Sequence, residues 1–175
     1  MAVAAALLLS AGSAFAFSAA QVDDDVKAAL QQLYDTTPAA RDMGREAKGI
    51  LVFPDVVKAG FVLGAQHGIG ALLQEGETKG YYETDAASYG LQAGVQKFSY
   101  ALFLMSDSAM ENLNTSNGWE VGSSPSLVIA DQGIASSFTT TTARHDVYAF
   151  FFGQKGLMLG LGLQGSKITR VEPDR

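Results

Sequence analysis

Gly49-Ile50-Leu51-Val52-Phe53-Pro54-Asp55-Val56-Val57-Lys58-Ala59-Gly60-Phe61-Val62-Leu63-Gly64-Ala65-Gln66-His67-Gly68-Ile69-Gly70-Ala71-Leu72-Leu73 is one long, nearly uncharged run in which glycines recur among apolar residues. Apolar β-formers fill it, and formal charge is confined to Asp55 and Lys58. Long side chains between glycines suit strands, and Pro54-Asp55 predicts a turn or a sheet edge. A glycine inside a strand has no side chain to pack, so it marks a bulge, a bend or a close backbone approach. Gly60, Gly64, Gly68 and Gly70 together predict a strongly coiled sheet.

Outward from that stretch the strand pattern continues, with turn signals at Glu75-Gly76, Asn117-Gly118 and Asp131-Gln132-Gly133. Val147 to Phe152 and Gly156 to Val171 read as two further strands, and Ser106-Asp107-Ser108 caps a short helix that ends near Asn117-Gly118. Upstream, Ser18-Ala19-Ala20-Gln21 resembles a capping box opening a helix with Val22, Val26, Ala29, Leu30 and Leu33 on one face. Asp23, Asp24 and Asp25 fall in its first turns, where acids complement the helix dipole. Thr37-Pro38 opens a second helix, and Gly49 fits its stop. The expected fold is α+β, with N-terminal helices packed on a strongly curved, glycine-rich, mainly antiparallel sheet, barrel-like in its curl.

With 175 residues and 47% hydrophobic content, the chain suits one globular domain. A net charge of -6 disfavours nucleic acid, which needs a clustered basic surface. It also disfavours attachment of the whole surface to an anionic membrane. The absence of cysteine removes disulfides, thiolate metal sites and a cysteine nucleophile. Ala2 to Ala11 is a short apolar run followed by Ala14-Phe15-Ala16, so residues 1–16 read as a secretory signal and 17–175 as one domain. No basic residue follows Met1, as if the natural start lay upstream. The expected location is therefore the periplasm or cell envelope.

Several chemistries can be drawn on the chain and few hold. Gly160-Leu161-Gly162-Leu163-Gln164-Gly165 has dinucleotide spacing, but the alternating residues after it read as a strand, not the helix this motif requires. His67 and His145 lack the spaced partners of a metal site, and no Gly-x-Ser-x-Gly elbow exposes a serine. Ser136 to Thr142 reads as a solvated edge strand or loop, and Asn114-Thr115-Ser116 as a chance sequon. No catalytic residue, metal or cofactor is expected. Arg41, Arg45 and Lys48, spaced i, i+4, i+7, share a face of the second helix opposite Ala40, Met43 and Ala47, and Lys58 follows. These four basic residues are the candidate lipid head-group site.

The long glycine-rich stretch also resembles the SYLF domain, the lipid-binding module of eukaryotic endocytic adaptors, which has many bacterial relatives. The resemblance continues through Gly80-Tyr81-Tyr82, Ser88-Tyr89-Gly90-Leu91-Gln92-Ala93-Gly94, Phe103-Leu104-Met105 and Gly156-Leu157-Met158-Leu159-Gly160-Leu161-Gly162-Leu163. It implies a non-enzymatic protein that binds lipid or another amphipathic ligand, with a membrane surface as one setting. In the eukaryotic proteins a basic amphipathic N-terminal helix carries lipid binding, whereas here Asp23-Asp24-Asp25 meets only Lys27. Some yeast members bind actin, a partner not expected of an exported bacterial chain. The alternative is a structural, self-associating envelope module that pairs through sheet edges or through Phe150 to Phe152. A hydrolase would need a hydroxyl within reach of His145.

Overall fold

The computed structural model describes residues 16–60, 63–89, 94–115, 118–121, 126–137, 145–155 and 166–174. Two helices, α1 (Ala19–Thr36) and α2 (Ala39–Glu46), lead into four long strands: β1 (Gly49–Gly60), β2 (Leu63–Gln74), β3 (Glu77–Tyr89) and β4 (Gly94–Leu104). Then follow α3 (Asp107–Leu113), β5 (Trp119–Glu120), β6 (Leu127–Ile129), α4 (Gln132–Ser137), β7 (Val147–Lys155) and β8 (Lys167–Val171). One eight-stranded sheet has the order β5-β8-β3-β2-β1-β4-β7-β6, antiparallel except for the β6–β7 pair. It curls into a half-barrel, and the fold is α+β.

The direction of the curl follows from one bond. The Tyr100 hydroxyl on β4 donates to Thr84 Oγ1 on β3 at 2.7 Å, although β1 and β2 lie between these strands. Three strand spacings in a flat sheet are about 14 Å, far beyond the reach of one tyrosine. The face bearing Tyr100 and Thr84 is therefore concave. It holds Leu51, Phe53, Val56, Tyr82, Phe98, Leu102, Trp119 and Ile168, with α3 adding Ala109 and Leu113. On the convex face, Ile50, Val52, Ala71 and Phe103 meet Val22, Val26, Ala29 and Leu33 of α1 and Ala40 and Met43 of α2.

The helix face expected of α1 is the buried one, and Leu30 packs at its margin. Its ends differ from expectation. Ser18 is the N-cap, but its side chain makes no capping bond, and Gln21 Nε2 donates to Asp25 instead. The acids do not serve the helix dipole, since none lies in the first turn. Asp23 instead accepts bonds from Thr78 Oγ1 at 2.8 Å and Tyr81 Oη at 3.1 Å, tying α1 to β3. In α2 the cap falls on Pro38, one residue later than expected, because Thr37 still closes α1. Gly49 opens β1 rather than stopping α2, and a Cβ there would lie 2.9 Å from Met110 Sδ.

Pro54-Asp55 does not turn the chain. It forms a bulge inside β1, with register shifts against β2 and β4, so the extra residue is absorbed as a bend. Glu75 and Gly76, both at positive φ, make the tight β2–β3 connection as expected. Asp131-Gln132-Gly133 leads into a helix, so Ser136 and Ser137 are helical rather than part of an edge strand. Phe150 and Phe152 are core residues, which removes them as a partner surface. The edge strands β5 and β6 have two and three residues, short enough to offer little backbone for pairing. The proposed leader, the Gly160–Gly165 motif and most of the hydroxyl-rich run lie outside the described residues.

Candidate functional site

The basic residues occupy two separate places. Arg41 and Arg45 project from α2 while Ala40 and Met43 on its other face are fully buried, so core packing turns the basic face outward. Lys48 lies beyond the end of α2, and its backbone N–H donates to the Leu104 carbonyl at 2.8 Å. All three sit at the end of the sheet where β1 begins. Lys58 lies near the opposite end of β1, roughly 30 Å of strand away. Arg41 and Arg45 thus share α2, Lys48 follows it in the chain, and Lys58 lies apart.

Each of the three clustered cations has a carboxylate beside it. Arg41 lies 3.9 Å from Asp35, Arg45 3.2 Å from Asp42, and Lys48 2.9 Å from Asp107. Arg41 also lies over the Tyr34 ring at 5.2 Å. Burial pushes the Tyr34 hydroxyl up, and Arg41 and then Arg45 pull it partly back. Exposed pairs like these contribute little to stability and are screened by salt, so an incoming phosphate can compete for the cations. Sequence spacing locates the cations and the neighbouring Asp42, but not Asp35 and Asp107, which come from α1 and α3.

The histidines show no catalytic arrangement. His67 Nδ1 lies 2.6 Å from Asp85 Oδ1 across the β2–β3 ladder, an exposed cross-strand pair. His145 meets Tyr148 edge-on at 5.8 Å, and among the described residues no serine or threonine hydroxyl bonds to it. Its neighbour Asp146 accepts from the backbone N–H and hydroxyl of Ser126 at 3.1 and 2.9 Å. Hydroxyls of Ser106 and Ser126 hold this carboxyl below the usual range. That is a structural clamp at the start of β7. No cluster of three or more potential metal ligands occurs among the described residues. Beside the β1 bulge, a cleft of about 380 Å³ opens between Gln32, Asp55, Lys97, Ser99 and Gln154.

Sequence comparison names the class to which this curled sheet with helices on its convex face belongs. Residues 85–173 match the model of the Ysc84 family, described as "Las17-binding protein actin regulator". The match covers half of the chain, and the protein belongs to this family, which is the SYLF family indicated by its sequence blocks. The family is one of binding modules rather than enzymes. Among curated proteins none matches the sequence.

Proposed function

We propose that this chain is a non-enzymatic, exported binding protein for lipid or another amphipathic ligand, acting at the cell envelope. Family membership carries the reading. The apolar run at residues 2–11 with its small-residue cleavage pattern supports export. Arg41, Arg45 and Lys48 at one end of the sheet form the surface that meets anionic head groups, exchanging Asp35, Asp42 and Asp107 for lipid phosphates. Lys58 is too far along β1 to share that contact. The family description points to actin regulation in relatives; an exported chain would not meet actin, so lipid is the partner assigned here.

Co-sedimentation with vesicles of phosphatidylcholine alone and of phosphatidylcholine with phosphatidylglycerol tests the proposal. The mature chain should sediment with the anionic vesicles at low salt and be released as salt rises. Replacing Arg41, Arg45 and Lys48 together by glutamine should abolish sedimentation and leave the melting temperature nearly unchanged. Wild-type chain that ignores both vesicle types at low salt would overturn the membrane reading.

A further inference from the structure

We infer that the concave face of the half-barrel holds a second site, in which Lys58, Gln66 and Ser166 receive the carboxylate of a long-chain fatty acid. The inference rests on the reading of the chain as a binder of amphipathic ligands and locates a ligand that is not a membrane surface.

The observation begins with β2. Alternate residues of a strand share a face, so the concave side of β2 carries Gly64, Gln66, Gly68 and Gly70 before Leu72 joins the core. Glycine is required there by close approach of β1. A Cβ at Gly68 would lie 2.9 Å from Val56 Cγ2, and one at Gly70 would run into the Val52 carbonyl and the Phe53 ring. Gln66 is therefore the one side chain on this stretch of the face. It is 7% exposed, and its Nε2 donates to nothing.

A second orphan lies in the same row. Gln66 stands opposite Lys58 on β1 and Ala86 on β3, and paired residues of a ladder point to the same face. The β3–β8 ladder runs to Asp85–Lys167, and Ser166 is the next residue, its carbonyl accepting the Val121 N–H at 2.8 Å. Continuing the alternation of β8 back from concave Ile168 puts Ser166 on the same side. It is fully buried, and its Oγ has no partner. Buried polar groups in folded proteins are almost always bonded, so two unpaired groups in one row call for a missing acceptor.

The chemistry of that acceptor follows from the donors. The row offers the Lys58 ammonium, the Gln66 carboxamide N–H and the Ser166 hydroxyl, and it continues on β4 with Gln96 opposite Lys58. Among the described residues Lys58 makes no ion pair, whereas Arg41, Arg45, Lys48, Lys79 and Lys97 all do. One cation with two neutral donors matches a monoanionic oxygen head; a phosphate dianion would remain under-neutralised. Below the row the floor is apolar, made of Val56 and Phe98. Towards the hairpin ends the face is bare backbone at Gly60, Gly64 and Gly94, and at Gly94 no heavy atom lies within 4 Å of where a Cβ would stand. A polar row between an apolar floor and bare backbone suits an amphiphile with a hydrocarbon chain.

Titration of the full chain with oleate, by calorimetry and by melting shift, tests this site. Wild type should bind and melt higher with oleate. Lys58→Gln should weaken binding about tenfold, as expected for losing one charge-assisted bond. Gln66→Leu should weaken it similarly yet melt no lower than wild type without ligand, because it removes an unpaired buried group. The glutamine triple variant at Arg41, Arg45 and Lys48 should bind oleate normally, and Lys58→Gln should still sediment with anionic vesicles, so the two readings fail separately. No oleate binding by wild type, or wild-type affinity in both Lys58→Gln and Gln66→Leu, would overturn the site. Inorganic phosphate binding as tightly as oleate would remove the amphiphile, and lysophosphatidylglycerol binding more tightly would remove the carboxylate.

Discussion

The two halves of β1 live in different environments although one continuous strand carries both. Gly49 to Phe53 are all buried, with α1 and α2 over one face and the aromatic concave core over the other. Val56 to Gly60, past the bulge, lose burial on the convex face, where Val57 is 38% exposed. On the flanking strands, Leu63 and Val95 are each 66% exposed. Helices cover only the first half, so packing there holds the fold. Past the bulge, Val56 still enters the concave core, while the convex side is left to backbone pairing and glycine geometry.

The sharpest test of that contrast is in the covered half. Phe103 is fully buried and meets Phe150 edge-on at 5.0 Å. Phe103→Ala should cost about 3–5 kcal/mol in urea unfolding. In the uncovered half, Gly60 packs against the backbone of Gly64, and Gly60→Val should cost about 1–3 kcal/mol through overpacking. A neutral Gly60→Val would break the claim that close backbone approach holds this end. Asp146 supplies a pH test. Its carboxyl is held low by serine hydroxyls, so its contribution is present above the unfolded value near 4 and lost as pH falls through the folded value. Asp146→Asn should therefore flatten the acid side of the stability–pH curve while leaving its alkaline side unchanged. The smallest effect belongs to the exposed apolar positions: Val95→Ser should change unfolding free energy by no more than about 0.5 kcal/mol.

Much of this fold was legible from periodicity. The buried stripe of α1, the apolar face of α2, the Ser106 cap of α3 and the long strands all follow from local spacing, because each records which side of one element faces the core. The misreadings share a different origin. Pro54-Asp55 carries a turn signal, yet β2 and β4 pair with β1 on both sides of it and turn it into a bulge. Asp23 looks like a dipole partner until β3 brings Thr78 and Tyr81 to it. Phe150 to Phe152 could face a partner or the core, and only the layer of α1 on the convex face decides between them.

At the site, local sequence shows the residue types: a basic face on α2, a glycine-rich strand, and the blocks that mark the family. Tertiary structure alone decided their company. It placed Asp35 against Arg41 and Asp107 against Lys48, and carried Lys58 to the far end of β1. It also aligned Lys58 with Gln66 and Gln66 with Ala86, with Ser166 one residue past the end of the β3–β8 ladder. Strand register pairs residues as far apart in the chain as Tyr81 and Val171. Nothing in local spacing encodes that, because each ladder is chosen by the burial of whole faces rather than by any one residue on them.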